Sequence, residues 1–239
     1  MDRKQFEPRN LLLAALPARD LLSLQPHLQT VPLGCGSVIS EADDPLDRVY
    51  FVDTGVVSLV TAFENQVTLG VAAVGREGVV GATALLLGGD TALGRSRVLV
   101  PGSALALEVP RFRNALRTSL KLRAACEVST RALFVQMLQS VPCNRLHTLE
   151  QRCARWLLMC ADRTEVETFE LSVQGFAEML GVSASRLTTL SGKLQHAGLV
   201  CYRDGALTVR DRGGLERVAC ECYRIIRCRN ARRPGRAAN

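Results

Sequence analysis

Residues 171–200 read LSVQGFAEMLGVSASRLTTLSGKLQHAGLV, and this stretch decides the fold of the C-terminal half. Ser172 is a suitable N-cap for a short helix, and Gly181 follows that helix where a left-handed residue commonly ends one. Ser183 can cap a second helix, which carries Leu187, Leu190 and Leu194 on one face. Helix, glycine-containing turn and helix form a helix-turn-helix, although a plain helical hairpin has the same pattern.

The residues that follow predict a β-hairpin. Two strand-like runs, 199–203 and 206–210, flank Asp204-Gly205, a dipeptide that favours a two-residue hairpin turn. A helix-turn-helix followed by a hairpin is a winged helix, whose wing can reach the DNA backbone. Arg203 lies on this wing and is a candidate DNA contact.

The outer face of the second predicted helix has short or cationic side chains. Such side chains suit a helix that lies against phosphates and base edges. The candidate DNA-binding residues on this face are Ser183, Ser185, Arg186, Thr188, Thr189 and Lys193.

Composition and charge agree with a globular DNA-binding protein. The net charge is +7, and residues 144–239 hold 16 Lys and Arg against 10 Asp and Glu, whereas residues 1–143 hold 14 against 13. A basic C-terminal half beside a neutral N-terminal half is typical of a DNA-binding domain joined to a sensor domain, although a basic solvated surface would look the same. No run of 18 apolar residues occurs, so neither a membrane span nor a membrane partner is expected, and we expect a cytoplasmic protein.

The cysteines and histidines predict neither a metal site nor catalysis. Nine cysteines are present, and four of them (Cys126, Cys143, Cys153 and Cys160) lie in or beside apolar stretches, where a free cysteine usually packs as a small hydrophobic residue. Cys220 and Cys222 have no partners at zinc-finger spacing. His147 and His196 are expected on helix surfaces. No nucleophile, metal or phosphate-binding motif occurs, so an enzyme is not expected.

The N-terminal half predicts a β domain. Six strand-like runs are separated by glycine-containing turns: 37–40, 49–53, 56–61, 68–74, 97–100 and 104–109. Such spacing is typical of a sandwich or barrel, with a short helix within residues 79–87.

A long helix is predicted after Pro110 and a first helical segment. Its apolar seam consists of Leu120, Ala124, Val128, Ala132, Val135 and Leu138. The seam can pack on the β domain or against a second copy of the chain. We place a hinge at Pro142 and a single last helix over residues 215–229.

In this order of elements, residues 11–230 resemble the Crp/Fnr family of bacterial transcription regulators. The resemblance implies an α+β fold with an N-terminal double-stranded β-helix (jelly-roll) sensor domain of the cyclic-nucleotide-binding type over residues 11–118. It also implies a dimerisation helix over 119–141 and a winged helix-turn-helix over 144–230, leaving a disordered basic tail over 231–239. The implied partners are promoter DNA, a second copy of the chain and, as a further candidate, RNA polymerase.

The effector site implied by the resemblance is degenerate. Members that bind cyclic AMP have Gly-Glu in a short helix turn and Arg-Ser or Arg-Thr about a dozen residues later; the Glu binds the ribose and the Arg binds the phosphate. The matching residues here are Gly81, Ala82, Arg95 and Ser96. Because Ala82 replaces the Glu and Arg97 adds a bulky charge next to the pair, cyclic nucleotide binding is not expected, and no cofactor is assigned.

The DNA-reading face also differs from the family pattern. Well-known members place Glu and, four residues later, Arg on the recognition helix, where this chain has Ser185 and Thr189. By resemblance, Ser183, Arg186 and Lys193 are expected on the DNA backbone, with Ser185, Thr188 and Thr189 as candidate base readers. The expected function is sequence-specific transcription regulation by a homodimer. The alternative is a small-ligand or thiol redox sensor whose winged helix serves protein contacts.

Overall fold

The computed structural model describes residues 6–64 and 67–231. The N-terminal half is built around one antiparallel sheet, with helices before and after it. Its elements in chain order are helices α1 (Leu11–Ala14) and α2 (Ala18–Leu24), a 3₁₀ turn (Gln25–His27), strands β1 (Gln29–Leu33), β2 (Val38–Ser40), β3 (Arg48–Ala62), β4 (Thr68–Val74) and β5 (Val79–Val80), helix α3 (Ala82–Leu86), strand β6 (Arg95–Glu108) and helix α4 (Val109–Thr118).

The C-terminal half begins with the predicted long helix and continues as a winged helix. Its elements are helices α5 (Leu120–Leu146) and α6 (Leu149–Thr164), strand β7 (Thr168–Glu170), helices α7 (Val173–Leu180) and α8 (Ala184–His196), strands β8 (Val200–Arg203) and β9 (Ala206–Val209), and helices α9 (Arg212–Val218) and α10 (Cys222–Ala231). The predicted fold class is therefore confirmed. Of the predicted tail, residues 232–239 lie outside the described part of the chain. Among the described residues, no helix is both long and apolar enough to cross a membrane.

Two long bent strands form the centre of the N-terminal roll. The sheet order is β1-β6-β3-β4, with β2 also on β6 and β5 also on β3. The sequence predicted turns at Gly55 and at Pro101-Gly102, but the chain runs through both as bends in β3 and β6. A Cβ atom on Gly55 would lie 2.6 Å from the Val100 carbonyl oxygen, and one on Gly102 would lie 2.2 Å from that of Thr54. These glycines let the two backbones approach closely. The four strands predicted over 49–53, 56–61, 97–100 and 104–109 are therefore two continuous strands, β3 and β6.

A buried asparagine ties the N-terminal helices to the roll. The Asn10 side chain is fully buried, and its Nδ2 donates to the carbonyls of Val52 at 2.7 Å and Gly78 at 2.9 Å. Its Oδ1 accepts from the backbone N–H groups of Leu12 and Leu13 and so caps α1. One side chain therefore satisfies four buried backbone groups.

The long helix α5 packs one face on the roll and leaves its predicted seam outside. The buried positions are Leu122, Cys126, Ser129, Leu133, Gln136, Ser140 and Cys143. Of the predicted seam, Leu120 and Leu138 are 79% and 53% exposed. None of the six predicted seam residues is among the buried positions of the helix, so the seam is not the face that packs on the roll.

The helix α5 also extends beyond the predicted hinge. It continues through Pro142 to Leu146, and the break falls at His147, whose backbone is extended. Pro142 removes one backbone hydrogen-bond donor from the helix. The helix continues past it, and Pro142 lies on the exposed side in the last turns. Thr148 then begins α6 with a capping box to Gln151.

The last predicted helix is two helices. The segment 215–229 is interrupted after Val218, where Ala219 is extended, and α10 starts at Cys222. In a continuous helix, Cys220 and Cys222 would point to nearly opposite sides. The break lets both thiols face α5.

The winged helix is docked on the roll through a shared hydrophobic core. This core joins Val56 and Leu99 of the roll to Trp156, Phe176 and Met179 of the C-terminal half. The Ser172 N–H also donates to the Leu99 carbonyl at 3.0 Å. The two halves therefore bury apolar surface against each other.

The substitution Asn10→Ala should lower the free energy of unfolding by about 2–4 kcal/mol, because it removes a helix cap and leaves the buried carbonyls of Val52 and Gly78 unpaired. Denaturant titration measures this loss. The control Asn114→Ala, at an exposed position of α4, should change stability by less than about 0.5 kcal/mol. Equal effects of the two changes would contradict the role given to Asn10.

Candidate nucleic-acid interface and sensor cavity

The helix-turn-helix is built by the caps and turn that the sequence predicted. The Ser172 hydroxyl accepts from the Gly175 N–H at 3.1 Å, and the Ser183 hydroxyl accepts from the Arg186 N–H at 3.3 Å. Between the helices, Gly181 has φ 67° and ψ 41°, the left-handed conformation that glycine adopts without strain. The three leucines of α8 are buried in the C-terminal core: Leu187, Leu190 and Leu194.

All six predicted DNA contacts on α8 are exposed: Ser183, Ser185, Arg186, Thr188, Thr189 and Lys193. The Thr188 hydroxyl donates to the Ala184 carbonyl at 3.0 Å, and the Thr189 hydroxyl donates to the Ser185 carbonyl at 3.2 Å. Because each hydroxyl proton is used within the helix, both threonines present oxygen acceptors to the outside.

The wing is a two-residue hairpin, as predicted. Asp204 and Gly205 both have positive φ, 53° and 80°, and join β8 to β9. A third strand, β7, pairs with β9 in this sheet. It was not predicted from the sequence because it has only three residues. Arg203 is exposed beside the turn. Arg212 is held by Asp162 and Glu216, so it is less available for DNA.

The free cations of the interface are on α8 and the wing. Within residues 6–64 and 67–231, no ion pair engages Arg186, Lys193 or Arg203. All three are exposed. They can therefore meet phosphates without first breaking an internal bond.

The turn of the helix-turn-helix lies against the roll. Gly181 and Ser183 line a cleft of about 650 Å³ together with Thr68 and Arg95. Next to this cleft, Arg97 of β6 forms an ion pair with Glu178 of α7 at 3.4 Å, with both side chains largely buried. The strand that carries the predicted effector residues thus contacts the helix-turn-helix directly.

The roll encloses a cavity of about 370 Å³ that is mainly apolar. Its polar lining side chains are Ser40, Thr61, Thr83 and Ser96, and α5 contributes Leu133, Met137 and Val141. No Arg, Lys, Asp or Glu among the described residues lines it. The cavity therefore offers no cation for a cyclic phosphate.

The cassette predicted from the resemblance does not come together around this cavity. Gly81 and Ser96 line it, but Ala82 is buried in the core beside α1. Arg95 points to the other side of β6 and pairs with Glu41 at 2.7 Å. Ser96 therefore lines the cavity, whereas Arg95 does not.

A group of four side chains that could hold a metal ion lies outside the predicted sites. The side chains of Cys143, His147, Cys220 and Cys222 meet where α5 ends and α10 begins. Cys220 and Cys222 have no partners at zinc-finger spacing, but the fold brings Cys143 and His147 to them from more than 70 residues away. His147 was expected on the surface of a helix, but it lies in the break after α5, with its side chain 13% exposed. The hydrogen bond between the two thiols raises the pKa of Cys143 and lowers that of Cys220.

The other buried cysteines behave as the sequence predicted. Burial raises the pKa of Cys126, Cys153 and Cys160 to about 12. These thiols stay protonated at neutral pH, and a protonated buried thiol is a poor nucleophile.

Comparison with known proteins matches both halves of the chain to family models. Residues 30–119 match the cyclic nucleotide-binding domain, and residues 151–218 match the Crp-like helix-turn-helix domain. No curated protein sequence matches the chain.

Solved structures of the same architecture include FixK2 from Bradyrhizobium japonicum, with a TM-score of 0.66, 15% identity and coverage of 81% of this chain and 98% of that chain. The c-di-GMP responsive regulator CLP from Xanthomonas campestris has a TM-score of 0.64 and 19% identity, covering 81% and 99%. TTHA1359, a CRP/FNR-family regulator from Thermus thermophilus, has a TM-score of 0.62 and 19% identity, covering 80% and 98%. These likenesses show a shared fold.

Cyclic AMP at about 1 mM should leave the melting temperature unchanged, because the cavity lacks a cation for its phosphate. If the cavity bound cyclic AMP with a Kd of about 10 μM, this concentration would be about 100 times the Kd. Binding would then stabilise the fold by about 2.7 kcal/mol and raise the melting temperature by several degrees. Differential scanning fluorimetry measures the shift. A rise of several degrees that Ser96→Val abolishes would contradict this account of the cavity.

Proposed function

We propose that this chain, which belongs to the Crp/Fnr-type transcription regulators, binds promoter DNA as a homodimer that reads two half-sites. It has a cyclic nucleotide-binding-type sensor domain and a helix-turn-helix DNA-binding domain. The observation that carries the proposal is the two-sided helix α8, whose buried leucines anchor it while its polar face stays open. A helix of this kind fits the major groove.

We assign the exposed side chains of the interface to two roles. Ser183, Arg186 and Lys193 contact phosphates from α8, and Arg203 does so from the wing. These contacts give affinity that depends on salt. The candidate base readers are Ser185, Thr188 and Thr189.

Two of the candidate base readers, Thr188 and Thr189, favour amino groups over guanine acceptors. The hydroxyl protons of Thr188 and Thr189 are donated to backbone carbonyls, so their oxygens are free to accept from the amino groups of adenine or cytosine. None of the three assigned base readers is an Arg, the side chain that contacts guanine in a bidentate way. The operator of this regulator therefore differs from the usual half-site of its family.

The dimer is proposed to form along α5. Phe134, Leu138 and Val141 follow one another at helical spacing and are 59%, 53% and 72% exposed. Phe134 and Leu138 are not in the cavity lining, whereas Val141 lies at the edge of this face and also lines the roll cavity. The three residues form a short apolar stripe near the end of the helix. Pairing two copies of the stripe removes it from water and orients two recognition helices together.

The sensor is proposed to act through the contacts between the halves. We keep the domain bounds predicted from the sequence as part of the proposal: a sensor over 11–118, a dimerisation helix over 119–141 and a winged helix over 144–230. An apolar ligand in the roll cavity would touch α5 at Leu133 and Met137 and so shift the helix that carries the DNA-binding domain. We propose a non-catalytic protein that acts in the cytoplasm, where bacterial promoters and RNA polymerase are found.

Arg186→Ala should weaken binding to all DNA sequences alike and reduce the slope of log K against log salt by about 1, because one phosphate contact is lost. Thr189→Val should instead change the order of preferred sequences without changing the slope. Fluorescence anisotropy over a salt series measures both. The control Arg19→Ala, an exposed cation of α2, should have neither effect. If Arg186→Ala left DNA affinity intact, the result would favour the alternative, a sensor whose winged helix binds proteins.

Leu138→Glu should convert the protein to a monomer and lower its affinity for a two-half-site operator, because it puts a charge into the apolar stripe of α5. Sedimentation velocity measures the mass, and anisotropy measures the affinity. The control Leu22→Glu changes an exposed leucine of α2, 64% exposed, and should leave the dimer intact. A wild-type protein that is monomeric at micromolar concentration would overturn the proposed dimer.

A further inference from the structure

Four side chains from distant parts of the sequence form one compact group of metal-ligand type. Cys143 comes from the end of α5, His147 from the break before α6, and Cys220 and Cys222 from the break between α9 and α10. Their candidate ligand atoms all lie within 4.8 Å of one another, and the three cysteines are buried. The group connects the helix proposed to form the dimer to the last helix of the DNA-binding domain.

Two of the six donor separations fit one tetrahedral ion, and all six lie within 4.8 Å. With Zn–S bonds of about 2.3 Å and Zn–N bonds of about 2.0–2.1 Å, a tetrahedron separates two sulfurs by about 3.8 Å and a sulfur from a nitrogen by about 3.5 Å. Here the Sγ atoms of Cys143 and Cys220 are 3.6 Å apart, and Cys222 Sγ is 3.6 Å from His147 Nδ1. A disulfide needs about 2.05 Å between its sulfurs.

The histidine is oriented as a metal ligand. Its Nδ1 faces Cys222, and its Nε2 lies 3.0 Å from the Glu221 carboxylate. A carboxylate on the far nitrogen holds the proton there and leaves the near nitrogen free to bind a metal. Gln139 donates to Cys222 Sγ at 3.2 Å, an outer contact that suits a thiolate.

A buried cation beside the group calls for negative charge. Arg155 is 0% exposed, and its Nε and Nη2 have no hydrogen-bond partner among the described residues. It interacts electrostatically with all three thiols of the group. Three thiolates, one Zn²⁺ and one neutral imidazole carry one negative charge in total, so an occupied site would offset the buried charge of Arg155.

We propose that Cys143, His147, Cys220 and Cys222 bind one zinc ion that fastens the end of α5 to α10. Each of the three thiols releases its proton to solvent on binding, and His147 binds through the lone pair of neutral Nδ1. Three thiolates and one imidazole are a common ligand set of structural zinc sites. An iron–sulfur cluster would distribute its protein ligands over several iron atoms, so this close set favours a single ion. The proposal does not depend on what the winged helix binds.

The test measures metal in the full-length protein. After expression with zinc and gel filtration, mass spectrometry of the elements should find about one zinc per chain. Cys222→Ser should lose most of this zinc, whereas Cys228→Ser, an exposed cysteine of the same helix, should keep it. Less than about a fifth of a zinc per wild-type chain, or equal zinc in the two variants, would overturn the proposal.

A second measurement uses wild-type protein only and so does not depend on a variant that folds. Protein stripped with a chelator under reducing conditions and then given Co²⁺ should develop the visible absorption of tetrahedral cobalt bound to thiolate, and added Zn²⁺ should remove it. Its melting temperature should rise with either metal. Absence of this spectrum would overturn the proposal, as would iron in place of zinc, or a Cys143–Cys220 disulfide in the protein as purified.

Discussion

The arrangement of the chain depends on how Gln136 of α5 closes the free edge of the β-roll. Its side-chain oxygen accepts from the Ala73 N–H at 3.1 Å, and its amide donates to the Ala73 carbonyl at 3.2 Å, as a neighbouring strand would. Arg163 of α6 reaches the same carbonyl at 3.3 Å and pairs with Glu77 at 2.8 Å. Roll, long helix and winged helix therefore meet at one backbone position, where buried polar groups leave little freedom.

Once this junction fixes the face of α5, the other features follow from it. Another face of the helix carries the apolar stripe that we assign to the dimer. Its buried face closes the roll cavity, and its end brings Cys143 and His147 to Cys220 and Cys222. A ligand, a second copy of the chain and a zinc ion would thus act on the same helix. Each would bias the position of the winged helix through a different turn of α5.

Local sequence signals predicted the DNA-binding half well, and distant contacts limited the rest. The capping serines, Gly181 and Asp204-Gly205 specify their own turns, so the helix-turn-helix and the wing could be located from the sequence. Gly55 and Gly102 look like turn residues in the sequence. In the fold they instead let two strands that are far apart in sequence bring their backbones close together. The group around Cys143 was missed because its two pairs of ligands are more than 70 residues apart.

Genomic footprinting of the tagged protein tests the central claim, that two copies of this chain read two DNA half-sites, most directly. The account predicts discrete protected sites, each with two related half-sites whose centres are one helical turn apart, about 10–10.5 base pairs, or a multiple of that distance. Their bases should differ from the usual half-site of the family, because Ser185 and Thr189 replace its base-reading side chains. Protection spread evenly over the genome, or single unpaired half-sites, would contradict the account.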